Sequence, residues 1–171
     1  MTDTTHEFTP TNYFLEPGYI YIAVEPTVIS TVLGSCVSVS IYDRRRKVGG
    51  MNHFLYPTAE HDSEATAIFG DAATLNLIRM MIQDGSKRKD LEAQIIGGSY
   101  NSDISPTDMG RRNIMTARRI LTRQRVHVVS EDVGGTLGRK VVFHTTSNEV
   151  AILKVEKLRH SDWYPYEGHR E

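Results

Sequence analysis

The sequence predicts one α+β domain, layered and mostly antiparallel in its strands, with two main helices. Its 171 residues suit a single core of ordinary size. Short runs of β-branched and aromatic residues between turn residues predict about seven strands. Only two segments carry apolar residues at helical spacing, and hairpins outnumber strand-helix-strand units.

The first half of the chain predicts an arm followed by three strands. Residues 1–18 are rich in threonine, proline and polar groups, which predicts a mostly irregular N-terminal arm with Tyr13 to Leu15 packed down. Apolar and aromatic runs, interrupted by Pro-Gly, Glu-Pro and Gly-Ser, then predict strands. These strands cover residues 19–24, 36–42 and 47–55, and residues 28–32 form a further apolar run.

The second half alternates helices and strands. Apolar residues at helical spacing predict a helix over residues 71–84, with Gly85 as its C-terminal stop. A second helix starts at Thr107 or Asp108 and ends at Gln124. Short apolar runs predict strands over residues 91–96, 126–129, 141–143 and 149–155.

Composition and the chain ends limit the classes of function. Lysine plus arginine number 20 against 21 acidic residues, so charge gives no reason to expect nucleic acid or a membrane surface as partner. The polar N-terminus has no signal-peptide pattern, and no apolar run is long enough for membrane insertion, so we expect a cytoplasmic protein. The domain should span residues 19–158, followed by a loosely packed or disordered tail over residues 159–171 whose aromatic residues could anchor it.

Two further patterns are interpreted as structural. Seven scattered histidines and a single cysteine predict no metal site, and no cofactor motif is present. The glycine-rich loop at residues 131–140 lacks the spacing of a phosphate loop, so we interpret it as a turn between strands, with Asp132 and Arg139 as structural partners or part of a binding wall.

The hairpin at residues 36–55 contains the lone cysteine. Its alternation turns Val37, Val39 and Ile41 to one face and Cys36 to the other, more polar face. If the connecting loop is symmetric about Arg44-Arg45, Cys36 stands directly opposite His53, where Cβ atoms are about 4.5–5.5 Å apart. A loop one residue longer would turn His53 to the other face.

These residues allow nucleophilic chemistry. The Cys36 thiol is a candidate nucleophile and His53 a candidate base, with the hydroxyl of Ser30 or Thr31 to orient the imidazole. Gly34 and Ser35 could supply main-chain N–H groups to an oxyanion, since glycine tolerates unusual dihedral angles. From composition alone, a lone cysteine on a strand is more often a small buried hydrophobe, and a neighbouring histidine a structural group.

Five stretches carry a resemblance when taken together. In chain order across residues 19–155 they are TVLGSCVSVSIYD, GGMNHFLYP, GSKRKDLEAQIIGGS, GRRNIMTARRIL and EDVGGTLGRKVVFHT. They resemble the CheD family, the chemoreceptor glutamine deamidases of chemotaxis. The resemblance implies a fold similar to the cytotoxic necrotizing factor deamidases. It also implies hydrolysis of glutamine side-chain amides, and of glutamate methyl esters, on the cytoplasmic helices of chemoreceptors.

The resemblance also implies roles for individual residues. Cys36 falls on the nucleophile and His53 on the catalytic histidine. The third catalytic position, six residues before the cysteine, falls on Ser30, with Thr31 beside it. A substrate wall is implied at Asn52, Gly97, Gly98 and Ser99, although Ser99-Tyr100-Asn101 departs from the small residue and asparagine expected after the double glycine.

Two other functions are compatible with the sequence. One is a binding module that docks on a CheC-like phosphatase or a receptor without catalysis, and the other is a different thiol enzyme. Six arginines make the second predicted helix and its end basic, which indicates a solvated face or a surface for an acidic partner. They are Arg111, Arg112, Arg118, Arg119, Arg123 and Arg125.

Overall fold

The structure, a computed structural model, describes residues 9–163. Its strands are β1 Thr11–Phe14, β2 Ile20–Ile22, β3 Thr27–Leu33, β4 Val37–Asp43, β5 Val48–Asn52, β6 Leu91–Gly97, β7 His127–Val133, β8 Gly138–His144 and β9 Val150–Val155. Its helices are α1 Gly70–Gln83, α2 Met109–Arg123 and the short α3 His160–Trp163. No helix in this part of the chain is long and apolar enough to cross a membrane.

The strands form two sheets. One has the order β1-β3-β8-β9 and the other β2-β5-β4-β6-β7. Most neighbours are antiparallel, while β1 with β3 and β6 with β7 are parallel. Helices α1 and α2 pack on the five-stranded sheet, so the layers run from helices to five strands to four strands. The predicted layered, mostly antiparallel α+β class with two main helices is confirmed.

Two hydrophobic clusters lie on either side of the five-stranded sheet. The helix-side cluster takes Val37, Val39 and Ile41 from β4. The cluster between the two sheets contains residues from both, including Ile29 and Leu33 of β3, and Cys36 packs against it. Strand β4 is therefore buried along its whole length, and its more polar face lies beneath the second sheet.

Part of the predicted irregular arm is a strand. β1 pairs in parallel with β3, and Leu15 just after it is fully buried between the sheets. The ring of Tyr13 stacks on that of Tyr21 at 3.8 Å. The expected packing of Tyr13 to Leu15 is present, whereas the strand itself was not predicted, because a four-residue strand held by long-range pairing has little local signal. Residues 1–8 of that arm and 164–171 of the predicted tail lie outside the described residues.

The predicted hairpin register was wrong by two residues. Ile41 pairs with Gly50 and Asp43 with Val48, so the loop has four residues, not two. The Asp43 carboxylate accepts hydrogen bonds from the main-chain N–H groups of Arg45 and Arg46, which stabilises this longer loop. A shift of two preserves side-chain alternation, so the face of each residue is unchanged.

Candidate active site

The shifted register places Cys36 and His53 diagonally on one sheet face. Val37 pairs with Phe54 in an antiparallel bridge, so Ser38 stands opposite His53. Cys36 is displaced from His53 by two positions across the strands, a relation in which Cα atoms are about 7–8 Å apart. Long and aromatic side chains reach across that spacing, so the pair can still share a site.

His53 is fully buried and its ring is oriented by Thr31. The Thr31 hydroxyl donates to the Leu15 carbonyl at 2.8 Å and lies 2.8 Å from His53 Nδ1. A hydroxyl has one proton, so with that proton on Leu15 it accepts the Nδ1–H of the imidazole. Nε2 then carries the free lone pair, and it has no hydrogen-bond partner among the described residues.

The loop before Cys36 is held by three consecutive carbonyl groups. The Gly34 carbonyl accepts from Ser99 N at 2.9 Å, that of Ser35 from Asn113 Nδ2 at 3.0 Å, and that of Cys36 from Gly98 N at 2.8 Å. In a trans peptide the N–H points opposite to the preceding carbonyl. The N–H groups of Ser35 and Cys36 therefore point away from these donors, and neither bonds to a main-chain carbonyl in the described part of the chain.

Two glycines behind this loop, Gly97 and Gly98, adopt backbone conformations that require glycine. Gly97 and Gly98 have φ angles of 108° and 71°, in the left-handed region that favours glycine. A Cβ atom on Gly97 would stand 2.4 Å from the Cys36 carbonyl oxygen. Gly34, in contrast, is not at positive φ, so the expectation that it supplies an unusual dihedral angle was wrong.

Asn113, on α2, joins the two halves of the site. Its side chain is fully buried, and Nδ2 donates to the Ser35 carbonyl and, at 2.8 Å, to the Leu55 carbonyl. The first contact lies one residue before Cys36, and the second lies two residues after His53. A single amide group therefore links the loop before Cys36 to the segment that contains His53.

Burial, full for His53 and partial for Cys36, keeps both reacting groups neutral at pH 7. It raises the pKa of Cys36 to about 12, although the Cys36 backbone N–H acts in the opposite direction. Burial likewise lowers the pKa of His53 to about 3, against a smaller opposing effect of a hydrogen bond with the Leu15 backbone. The resting site holds a thiol and a neutral imidazole with a free Nε2, and in this buried state transfer of the thiol proton to the imidazole is unfavourable, because the Cys36 pKa lies far above that of His53.

A cleft lies beside the thiol loop, and the C-terminal segment lies over it. The cleft has a volume of about 380 Å³ and is bordered by Gly34, Ser35 and Ser99. Cys36 and His53 are not among its described lining residues. The Trp163 ring is 6.0 Å from the His53 ring between centroids, and its Cζ2 atom is 3.8 Å from the position of a Cβ atom on Gly34.

The structure separates the predicted site residues into two groups. It brings Thr31 against His53, whereas Ser30 belongs to the opposite face of β3, because Ile29, Thr31 and Leu33 alternate toward the inner cluster. Asn52 is not a substrate wall. It faces the helices, fully buried, where its Oδ1 accepts from Val39 N at 2.8 Å.

The loops that follow β6 and β7 were also predicted from the sequence. Gly97 and Gly98 support the thiol loop from behind, and Ser99 lines the cleft. Residues 134–137 form the predicted turn between β7 and β8, and Arg139 bonds Asp132 at 2.9 Å and the Gly134 carbonyl at 2.9 Å. Residues 9–163 contain no group of three or more histidine, cysteine, aspartate or glutamate side chains that could hold a metal ion.

Sequence reasoning missed Asn113 and Trp163. A signal existed for Asn113, since it lies on the same helix face as the buried Ala117 and asparagine is a poor helix former. The aromatic residues of the tail are candidate anchors, but nothing in the sequence places Trp163 at this site. Its contact with the site depends on long-range packing.

Fold and site together define a class of protein. It is a layered α+β protein that presents one thiol and one imidazole from neighbouring strands, beneath a second sheet. Chemistry at such a site would be nucleophilic and acid-base.

Comparisons with known proteins narrow this class. A family model described as "CheD chemotactic sensory transduction" matches residues 55–154. A Sulfurimonas denitrificans protein named "Probable chemoreceptor glutamine deamidase CheD" is 37% identical, covering 84% of this chain and 94% of its own. Its Anaeromyxobacter dehalogenans counterpart, "Probable chemoreceptor glutamine deamidase CheD 1", is 41% identical over 77% of each chain. A Trichlorobacter lovleyi protein with the first of these names is 36% identical over 82% and 88%.

The chain belongs to the CheD family. The matched family range begins after His53, so the roles of Cys36 and His53 are argued from the geometry above. A solved structure, that of Bacillus licheniformis hypothetical protein YfiH, matches with a TM-score of 0.41 and 16% identity, covering 63% of this chain and 49% of that one.

Proposed function

We propose that the protein hydrolyses the side-chain amide of particular glutamines on the cytoplasmic helices of chemoreceptors, giving glutamate and ammonia. The observation that carries the chemistry is the free Nε2 of buried His53 on the same sheet face as Cys36. The names of the CheD relatives supply the substrate class. Because receptor cytoplasmic helices are the substrate, the proposal places the protein in the cytoplasm.

In the first half-reaction, the Cys36 thiol transfers its proton to His53 Nε2. Sulfur then attacks the amide carbon of the glutamine, and the N–H groups of Ser35 and Cys36 bind the oxygen that gains negative charge. The carbon-nitrogen bond breaks as the imidazolium gives its proton to the leaving nitrogen. Ammonia departs and a thioester joins the substrate to sulfur.

Water completes the reaction. His53 Nε2 takes a proton from a water molecule, whose oxygen attacks the thioester carbon, and the sulfur leaves and recovers its proton. Thr31 keeps the proton on Nδ1 throughout, so Nε2 alternates between base and acid. The net change is amide plus water to carboxylic acid plus ammonia.

Two finer points belong to the same proposal. Glutamate methyl esters have a similar carbonyl and a better leaving group, so esterase activity at the same site follows from the mechanism. Docking on a CheC-like phosphatase is the competing role, and it would not require the thiol of Cys36.

Intact mass analysis of a receptor cytoplasmic fragment tests the proposal. Wild type should convert glutamines to glutamates, whereas Cys36→Ala and His53→Ala should not. Unchanged glutamines after treatment with wild type, or equal conversion by Cys36→Ala, would show that the proposed function is wrong. A methyl-esterified fragment in the same assay measures the esterase reaction.

A further inference from the structure

The contacts of Asn113 have a consequence for the geometry of the site. Its Nδ2 gives both protons to carbonyl groups, that of Ser35 at 3.0 Å and that of Leu55 at 2.8 Å. Asparagine and glutamine are the uncharged side chains with two protons on one nitrogen. A hydroxyl could hold one carbonyl, and a carboxylate could hold neither.

We propose that Asn113 is a positioning residue that fixes the Cys36 loop relative to the His53 segment. Its effect on turnover rests on the proposed function, while its effect on the thiol does not. With the Ser35 carbonyl held toward α2, the Cys36 N–H is held in the opposite direction. Without Asn113 the peptide between Ser35 and Cys36 is free to rotate, and this N–H group loses its fixed direction.

Its placement argues against a role in helix stability. Asparagine is a poor helix former, and Asn113 Oδ1 is buried without a partner among the described residues. A buried unpaired acceptor is unfavourable. The favourable hydrogen bonds of this side chain are the two carbonyl contacts, and both lie at the candidate site.

Gln94 provides a matched control. It is also a buried amide that donates from one nitrogen, here Nε2, to a main-chain carbonyl, that of Asn148 at 2.9 Å. It lies on β6, and its hydrogen-bond partner is in the turn between β8 and β9. Asn113→Ala and Gln94→Ala therefore both remove a buried amide, but only the first releases the thiol loop.

The test combines turnover with the alkylation of Cys36 by iodoacetamide across a pH series. For Asn113→Ala we expect kcat to fall about tenfold or more for each lost hydrogen bond, with KM changed less. Because the Cys36 N–H favours the thiolate, the alkylation profile should move to higher pH. Gln94→Ala should leave kcat per folded molecule and the alkylation profile unchanged. Asn113→Ser keeps one donor, so its effects should lie between those of wild type and Asn113→Ala.

Equal losses of kcat in Asn113→Ala and Gln94→Ala would overturn the proposal. So would an unshifted alkylation profile in Asn113→Ala. If wild type converts no glutamine, the proposed function fails while the alkylation series still decides the role of Asn113. Asn113→Ser serves as the test variant if the alanine variant does not fold.

A second, independent observation concerns α3. His53 has no exposed surface, yet a general base must meet the substrate and the leaving group. The ring of Trp163 contacts the His53 ring at 6.0 Å between centroids and covers Gly34. Leu158 packs beside it against Gly34 and Gly138.

We infer that α3 is a cap over the site that must lift before a glutamine can enter. The cap is a helix of four residues, and an ion pair between Asp162 and Lys140 at 2.8 Å joins it to the sheet. Lys140 is 43% exposed, so this tie is weak and easily exchanged for water. A receptor helix that displaces Trp163 would open the site, which couples docking to access.

Carbethoxylation of His53 by diethyl pyrocarbonate, mapped by mass spectrometry, tests the cap without requiring deamidation. His53 in wild type should be protected. Trp163→Ala should raise its modification rate about tenfold or more, and Asp162→Asn about twofold to fivefold through loss of the ion pair. The control is Glu131→Gln, which breaks the exposed ion pair with Arg118 on another face.

The cap predicts faster deamidation by Trp163→Ala at low substrate concentration. Continued protection of His53 in Trp163→Ala would overturn the inference. So would slower deamidation by this variant, because Trp163 would then be part of the substrate site.

Discussion

The two faces of strand β4 are both buried but differ in chemistry. Toward the helices, β4 contributes Val37, Val39 and Ile41 to an apolar cluster. None of these three side chains has exposed surface. Toward the second sheet it presents Ser38 and Ser40, whose hydroxyl oxygens have no hydrogen-bond partner among residues 9–163. Unpaired buried hydroxyl groups are unfavourable, so this inner face is not optimised for stability.

The difference indicates a division of roles within one strand. The helix face supplies apolar burial, which stabilises the fold. The inner face continues to Cys36, and its Ser38 stands opposite His53, so small polar side chains line the region around the imidazole. Substitutions on the helix face should reduce stability, and those on the inner face should reduce activity.

The largest expected contrast is between Cys36→Ala and Ile41→Ala. Cys36→Ala should abolish deamidation, a loss of more than about 10³-fold, while the free energy of unfolding changes by about 1 kcal/mol. Ile41→Ala should lower the free energy of unfolding by about 2–5 kcal/mol and leave the activity per folded molecule intact. Urea unfolding and turnover of both variants measure the contrast. Residual turnover in Cys36→Ala would break it.

His53→Asn should lower activity by about 10²–10⁴-fold, since the thiol loses its base. Stability adds a second readout. The pKa of His53 is about 3 in the folded protein, whereas an unfolded histidine titrates near 6.5. Between these values the unfolded chain binds one more proton, so acidification lowers the free energy of unfolding by about 1.4 kcal/mol per pH unit.

This pH dependence should be weaker in the asparagine variant. Urea unfolding of wild type and His53→Asn from pH 7 down to about pH 5 isolates it, since the contribution of every other group is shared. The stability that wild type holds above the unfolded pKa should decline as pH falls, and the variant should lose less. Parallel curves would show that His53 is not held neutral by burial.

Thr31→Val should have a smaller effect, about a tenfold loss of kcat, because one hydrogen bond to the imidazole is removed in a nearly isosteric change. Ser30→Ala is the control, since Ser30 belongs to the outer face of the same strand. Turnover of the two variants settles which hydroxyl matters. A larger loss in Ser30→Ala would contradict the orientation of the imidazole by Thr31.

The same strand shows what the sequence can predict. Local spacing predicted α1, α2 and the alternation of β4, because these depend on residues near one another in the chain. The choice of Thr31 was also within reach, since Ile29, Thr31 and Leu33 alternate as one face of β3. The family resemblance, which implies a catalytic residue six positions before the cysteine, pointed to Ser30 instead.

Other features depend on side-chain capping within a loop or on long-range contacts. The hairpin register follows from a four-residue loop in which the Asp43 side chain caps Arg45 and Arg46, and a positive φ falls on Lys47. The contacts of Asn113 and Trp163 join segments far apart in sequence. Such contacts leave no periodic pattern, so the chain alone predicted neither.

The smallest expected effect on activity comes from Asn52→Ala. This asparagine is buried like Asn113, but it faces α1 and accepts a hydrogen bond from Val39 N. Its loss leaves that N–H group unpaired and should lower the free energy of unfolding by about 1–3 kcal/mol. Activity per folded molecule should not change, whereas Asn113→Ala should lose turnover at a similar cost in stability. Measured side by side, a drop in kcat for Asn52→Ala would return this residue to the substrate wall and remove the division between the two faces of the sheet.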